Sequence, residues 1–455
     1  MDLSCFKAYD IRGRIPDQLN VELAEKIGFA YASVLKTQRV VVGYDIRESS
    51  PELTEALCKG LRSAGADVYN IGMCGTEQVY FSTFHYQMDG GIMVTASHNP
   101  KDYNGLKMVM KDSRPVNGDT GLNTIKAMIA SGECDNIPEA TGAVHSLDAM
   151  GDYIQHLLGY IDLDALKPLK IVVNPGHGGA GIVIDEIERH LPFEFIKVHH
   201  NPDGSFPAGV PNPLLVENRA STQQAIIEHN ADFGIAWDGD FDRCFMFDEQ
   251  GEFIEGYYIV GLLAQQFLSR HPGEKIIHDP RLTWNTQAVV TEFGGTPVES
   301  KTGHAFIKQI MRETDAIYGG EMSAHHYFRS FAYCDSGMIP WLLIAELLSR
   351  QDAAFSSLLK ERMTAFPASG EINRTLTQPQ QVLKGIEEQY ADQAIKVSHI
   401  DGLSMEFPGW RFNLRLSNTE PLARLNVESR GDQALMEQQT QEILTSIESL
   451  DNSIS

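Results

Sequence analysis

The feature that most constrains this chain is a run of strand, helix, strand, helix and strand that recurs three times, each time ending in a loop of reactive side chains. First strands read at Val40 to Tyr44, Ile171 to Val173 and Ile276 to His278. Second strands follow at Asp67 to Ile71, Phe193 to Val198 and Thr296 to Glu299, and third strands at Gly91 to Thr95, Phe233 to Trp237 and Ala316 to Tyr318. The third strands run into TASHNP, DGDFDR and GEMSAHHYF. Strands alternating with helices predict parallel α/β units, whose ligands collect beyond the carboxyl ends of the strands. Three such loops at equivalent places predict three similar domains facing one cleft.

The chain has 455 residues, which at about 100–200 residues per domain predicts roughly three domains and is long enough for several complete hydrophobic cores. Turn-rich stretches near Asp135 to Gly151, Asp248 to Gly256 and Ala365 to Gln378 mark the boundaries. The last segment ends in WRFNLRLSNTEPLARLNVES and reads as a smaller α+β domain. Lys and Arg number 37 against 61 Asp and Glu, a net charge of −24. That is the wrong sign for holding nucleic acid or an anionic membrane by bulk field, so an anionic substrate needs a local cluster of cations. The apolar stretches around Tyr257 to Ala264 and Met338 to Leu348 are too short to span a bilayer, and the start carries Asp2, Lys7 and Asp10 where a signal sequence needs an apolar run. A soluble, cytoplasmic protein is expected, with no oligomer predicted. Cys5, Cys58, Cys74, Cys134, Cys244 and Cys334 show no CxxC spacing, so neither a zinc knuckle nor a disulfide framework is expected.

Ser97 stands in a polar turn just past an apolar strand. It can satisfy backbone groups there, as Ser and Asn do in any turn. A serine hydrolase is a poor fit, because there is no GxSxG elbow and Ser97 and His98 in an extended segment should point to opposite faces. A hydroxyl at a strand end beside cations can instead carry and pass on a phosphoryl group. Asp238, Asp240 and Asp242 alternate along DGDFDR, so a curved loop can converge three hard oxygens on one divalent cation. An EF-hand would share that spacing and place Glu249 at its twelfth position, but Arg243 occupies the sixth, where the turn wants Gly, and Phe245 to Phe247 read as a strand. An aspartyl nucleophile of the haloacid-dehalogenase kind would want a hydroxyl or Val at position 242. Mg²⁺ fits best.

Gly176, Gly178 and Gly181 spell GxGxxG, with Glu194 downstream, but glycines at a strand-to-helix turn pack well without a dinucleotide, and that cofactor is not expected. Arg415, Ser417, Asn418 and Thr419 in RLSNTEP make a phosphate cradle of guanidinium, hydroxyls and amides, against the alternative of an ordinary hairpin turn. Glu321, Ser323 and His325 offer groups for sugar hydroxyls. Tyr9, Arg12, Lys107, Arg281 and His304 supply polar or cationic groups in loops near these strands.

From KAYDIRG through TASHNP, DGDFDR, KTGHAFIK and GEMSAHHYF to RLSNTEP, these motifs in this order resemble the α-D-phosphohexomutase superfamily over nearly the whole chain. GEMS followed by His is similar to its phosphomannomutase and phosphomannomutase/phosphoglucomutase branch. HDPRLTWNT and FRSFAYCDSGMIPWLL resemble bacterial phosphomannomutases serving GDP-mannose synthesis. The resemblance implies three α/β domains with mixed, mainly parallel sheets at 1–148, 149–250 and 251–365, and a C-terminal α+β domain like the TATA-binding protein at 366–455, around a central cleft. It implies a phosphoserine at Ser97, with Mg²⁺ held by Asp238, Asp240, Asp242 and a phosphoserine oxygen. It also implies catalytic roles for His98, Lys107, Arg243, His304 and His325. Substrate would be bound by Tyr9, Arg12 and Arg281, by Glu321 and Ser323 at the sugar hydroxyls, and by Arg415, Ser417, Asn418 and Thr419 at the nonreacting phosphate. The implied partners are hexose phosphates, with a sugar 1,6-bisphosphate as activator. A dual mannose and glucose mutase is the alternative within the family; a phosphatase or a sugar-phosphate-binding protein are the alternatives outside it. Arg281 stands where relatives often carry Lys, and Ala324 where many carry Gly.

Overall fold

The computed structural model describes residues 2–417 and 422–454, the side chains of 453 and 454 excepted. Two compact units form, one of Met1–Phe253 with His325–Ala354 and one of Ile254–Ala324 with Phe355–Ser455.

In the first unit, a sheet runs in the order Ile11–Arg14, Tyr103–Met110, Gly90–Val94, Arg39–Tyr44, Asp67–Met73, Val144–Ser146. Its four strands from Gly90–Val94 onward are mutually parallel, and Tyr103–Met110 is antiparallel to both of its neighbours, Gly90–Val94 and Ile11–Arg14. Gly90–Val94 is buried at every position, as the unbroken run GGIMV requires of a central parallel strand. Val144–Ser146 lies in a stretch expected to be linker, yet it adds a parallel strand beside Asp67–Met73. The same unit carries a sheet in which Cys244–Phe247, Phe233–Trp237, Lys170–Asn174 and Glu194–Lys197 are neighbours, parallel except for the first.

In the second unit, Lys275–His278 pairs in parallel with Thr296–Glu299 on one side and Tyr318–Gly320 on the other. The last strand begins two residues later than its sequence suggested, because Tyr318, Gly319 and Gly320 are the residues that meet Ile276, Ile277 and His278. A second sheet, antiparallel throughout, runs Ile372–Thr375, Leu422–Ser429, Trp410–Leu416, Leu403–Glu406, Lys396–Ser398. Its apolar face packs Leu403, Met405, Phe412, Leu414 and Val427 against Val382 and Ile386 of helix Pro379–Tyr390 and Ile443 and Ile447 of helix Gln433–Ile454.

All three repeats therefore share one strand order: the first strand lies between the third and the second, all parallel. This puts a topological switch at the carboxyl ends of the first and third strands, where side chains are free to meet a ligand. TASHNP, DGDFDR and GEMS each leave from that point. All six cysteines are buried and free, and no helix of the described residues is long and apolar enough to cross a membrane.

Candidate active site

The serine loop is held from beneath by a side chain that sequence reasoning missed. Arg47, buried, donates through Nη1 to the carbonyls of Pro100 (2.7 Å) and Tyr103 (3.0 Å), and through Nη2 to those of Ser97 (2.9 Å) and Asn99 (2.6 Å). Asp45 backs it, Oδ2 lying 3.3 Å from Arg47 Nε while it accepts from Thr95 Oγ1 (2.7 Å). So gripped, Ser97 takes a φ of 50°, the left-handed region. This corrects the expectation of opposed Ser97 and His98 side chains. The segment is not extended at Ser97, and Oγ lies 3.0 Å from His98 Nδ1.

The acidic loop converges as its alternation suggested. Phe241 bends it at a φ of 45° and buries its ring where a Cβ on Gly75 would be only 2.1 Å away. Ligand atoms of Asp238, Asp240 and Asp242 then lie within 4.8 Å of one another, all three residues buried. Ser97 Oγ donates to Asp238 Oδ2 at 2.8 Å. Arg243 Nε donates to the same oxygen at 2.8 Å, and its Nη2 contacts Ser97 Oγ at 3.3 Å and His98 Nδ1. Thr76, a further residue not foreseen, donates its hydroxyl to Asp240 Oδ2.

Lys107 was expected in a loop but sits inside strand Tyr103–Met110, a single cation in an apolar run, paired across the sheet with Met93. Its Nζ is 2.6 Å from Asp240 Oδ2 and 2.5 Å from Asp242 Oδ2. Burial opposes the ammonium, but the two carboxylates raise its pKa above the ordinary lysine value. Burial likewise opposes the charge on Asp240, and Lys107 outweighs it, holding the carboxyl below its usual range. Asp242, by contrast, is pushed up to about 6 by burial and by the charge of Asp240. Burial and then Arg243 push His98 well below the usual histidine value, so its imidazole is neutral and can accept at Nδ1. The buried Oδ1 atoms of Asp240 and Asp242 accept no hydrogen bond among the described residues. Hard oxygens left unpartnered among three converging carboxylates fit a divalent cation. His325 joins this cluster with Nδ1 4.0 Å from Asp242 Oδ1, and is oriented by the buried Asp335, Oδ2 at 2.9 Å from the same nitrogen. Arg12, also expected in a loop, lies in strand Ile11–Arg14 and bonds Asn99 Oδ1 of the serine loop at 2.8 Å. Tyr9 is half-buried just ahead of that strand.

The second unit gathers the remaining candidates. Arg281, buried, forks onto Asp279, whose Oδ1 and Oδ2 it reaches at 3.1 and 2.8 Å, and donates to Ser323 Oγ at 3.2 Å. Glu321 Oε1 lies 3.9 Å from Arg281 and accepts the N–H of Gly303 at 2.7 Å. His304 opens helix His304–Thr314 immediately after that glycine. Ala324 holds a φ of 69°, the region where a glycine is unstrained. Arg415, near the end of strand Trp410–Leu416, lies 3.6 Å from Asp401 and 3.6 Å from Glu371. Ser417 closes the strand pair through its N–H to Leu422 O (2.8 Å), while Asn418 and Thr419 lie outside the described residues. In the GxGxxG segment, a Cβ on Gly176 would come within 2.5 Å of Pro211 and one on Gly181 within 2.3 Å of His200 O, so close chain packing accounts for these glycines.

Each quarter of the chain matches a phosphoglucomutase/phosphomannomutase family model: alpha/beta/alpha domain I over residues 4–135, domain II over 151–251, domain III over 255–366, and the C-terminal domain over 371–446. A phosphomannomutase of Salmonella montevideo is 60% identical over 449 residues, covering 97% of this chain and 98% of the relative. A Xanthomonas campestris protein named for phosphohexose mutases is 58% identical over 443 residues, 97% of this chain and 99% of its own. Among solved structures, a phosphoglucomutase/phosphomannomutase family protein from Burkholderia thailandensis superposes with a TM-score of 0.87 at 33% identity, covering 98% of each chain.

Proposed function

The chain belongs to the phosphoglucomutase/phosphomannomutase family, and on that premise we propose that it interconverts mannose 6-phosphate and mannose 1-phosphate through a phosphorylated Ser97 and a bound mannose 1,6-bisphosphate. The observation that carries this reading is the environment of Ser97 Oγ. The hydroxyl is buried at a strand end, shared by Asp238, Arg243 and His98, and adjoins three carboxylates, of which Asp240 and Asp242 each have an oxygen to spare among the described residues.

In the forward step, the bond from Ser97 Oγ to phosphorus breaks as a bond from the free sugar hydroxyl to phosphorus forms; the sugar hydroxyl loses its proton to a base, and the leaving Ser97 Oγ takes up one proton to end as the alcohol, so protons balance. The reverse step, on the other phosphate of the same bisphosphate, restores phosphoserine, so phosphate is neither gained nor lost. Asp238, Asp240 and Asp242 with the serine oxygen would hold Mg²⁺, which when bound offsets the charge on the transferring group. Arg243 stabilises the same charge from the protein side. His325 is the proton carrier, because Asp335 fixes its ring while Lys107 is engaged with two carboxylates. Glu321 and Ser323 read sugar hydroxyls, and Arg415 with Ser417, Asn418 and Thr419 grips the phosphate that is not reacting. His304, Arg281, Tyr9 and Arg12 complete the substrate contacts. These roles divide the chain at 1–148, 149–250, 251–365 and 366–455. The enzyme works in the cytoplasm, takes a sugar 1,6-bisphosphate as activator and supplies GDP-mannose synthesis.

A second reading, a dual mannose and glucose mutase, draws support from the Xanthomonas relative's name. A coupled assay comparing mannose 1-phosphate with glucose 1-phosphate, each with trace bisphosphate, decides between them. Comparable kcat/KM for both sugars establishes the dual enzyme. Stoichiometric release of inorganic phosphate, with no isomer formed, would sink both.

A further inference from the structure

In the second unit, three guanidinium groups converge on one carboxylate. Glu371 lies 3.6 Å from Arg281 Nη1, 3.6 Å from Arg415 Nη2 and 3.8 Å from Arg424 Nη1. Arg424 is the cross-strand partner of Arg415 in the antiparallel pair, so the two side chains issue side by side. Among the described residues, Glu371 Oε2 nonetheless accepts no hydrogen bond, and Arg415 Nε and Arg424 Nε have no hydrogen-bond partner.

The same unit holds an ion pair of the opposite character. Arg411 donates to Glu428 at 2.8 Å, and Glu428 also accepts the N–H of Thr283 at 2.7 Å and the hydroxyl of Tyr257. Both carboxylate oxygens of Glu428 accept hydrogen bonds, which is how a permanent buried pair is built, although Arg411 Nε, like the Nε atoms of Arg415 and Arg424, has no hydrogen-bond partner among the described residues. Glu371 is held only by charge. The other carboxylates near these arginines are tied down: Asp279 by the fork of Arg281 and the N–H of Met322, Glu321 by Gly303, Asp401 by the N–H of Thr302 at 3.3 Å. With Asp279, Glu321, Glu371 and Asp401 facing Arg281, Arg415 and Arg424, negative charge already matches or exceeds positive. A dianionic phosphate therefore binds here only if one carboxylate yields, and Glu371 is the one no hydrogen bond retains.

We propose that Glu371 is a placeholder for substrate phosphate: its carboxylate keeps the three guanidiniums together between ligands, is displaced when a phosphate arrives, and returns to them when that phosphate lets go. The inference rests on the reading of Arg415 as the grip on the nonreacting phosphate. During turnover the bisphosphate must release this grip and present its other end to it, and a competing carboxylate makes that exchange easier.

The test is Glu371→Gln, the same shape without the charge, with inorganic phosphate as the probe in isothermal titration at fixed ionic strength. Removing three loose ion pairs should tighten phosphate roughly three- to tenfold. KM for mannose 1-phosphate and mannose 6-phosphate should fall together, and kcat should fall too, because release becomes slower. Glu371→Asp, whose carboxylate reaches one methylene less far, should move all three quantities the same way by less, and answers the question even if the Gln variant folds poorly. Weaker phosphate binding or a higher KM in these variants would make Glu371 a fixed part of the clamp and overturn the proposal, as would no change at all. Arg415→Ala serves as the separate control. If it leaves both KM values and the phosphate affinity unaltered, the clamp reading itself fails; if it weakens them while Glu371→Gln changes nothing, only the placeholder falls.

Discussion

Replacing Arg47 tests whether the geometry of Ser97 is imposed from below. Its guanidinium satisfies four backbone carbonyls of a single loop, residues 97 to 103, and faces the carboxylate of Asp45. Four charge-assisted hydrogen bonds at about 1.5–3 kcal/mol each would sum to more than any single substitution costs, because water reaches the freed carbonyls near the surface. The better guide is the loss of one partner from a buried ion pair, about 3–5 kcal/mol. Arg47→Met should therefore lower the melting temperature of the transition that includes the first unit by about 10 °C, at roughly 2–4 °C per kcal/mol. Activity should suffer separately: without the fork, Ser97 has no reason to keep its left-handed backbone, and a displacement of about 1 Å at a reacting atom costs about 10²-fold. Arg47→Lys divides the two effects. Lys restores a positive charge opposite Asp45 but offers three donors on a point charge in place of a planar fork, so it should recover part of the stability and little of kcat. Thermal melts paired with kcat for mannose 1-phosphate read both quantities. If Arg47→Met melts early but turns over normally, or if Arg47→Lys matches the wild type in both, the fork does not position the serine and the reasoning is wrong.

Ser97→Ala should abolish mutase activity while keeping the fold, at a cost of about 1–3 kcal/mol for the lost buried hydrogen bond to Asp238; intact-mass measurement should find a wild-type fraction about 80 Da heavier that the variant lacks. EDTA should inactivate the wild type and Mg²⁺ restore it, while Asp240→Asn should raise the Mg²⁺ needed for half-maximal rate; a wild type indifferent to EDTA removes the metal from the reaction. That substitution also takes a charged acceptor from Lys107 and Thr76, so the metal-free variant should lose about 3 kcal/mol in urea melts. Asp335→Asn should cut kcat at least about tenfold with both KM values little changed, and equal losses in kcat for Asp335→Asn and Asp335→Ala would confirm that the charge, and not the mere contact, serves His325.

What the sequence could disclose here was local. Alternation and apolar runs locate the nine strands of the three repeats to within a few residues, because a central parallel strand must be apolar along its whole length, as GGIMV and FGIAW are. The Asp238, Asp240 and Asp242 cluster was legible for the same reason: alternate residues of one short bend need no distant partner to converge. The backbone turn at Ser97 was not legible, since nothing in TASHNP demands a φ of 50°; the demand comes from Arg47, fifty residues upstream. Thr76, Asp335 and Glu371 escaped notice for a like cause, each being defined by a partner from another element. Lys107 and Arg47 share a sign that could have been read. Lys107 is a charge inside the apolar strand YNGLKMVM, and Arg47 lies buried three residues beyond the end of the strand RVVVGY, both where packing calls for apolar side chains. A cation in such a place is tolerated only if anions or carbonyls surround it. Its presence therefore announces a buried polar site even when the identity of the partners has to wait for the fold.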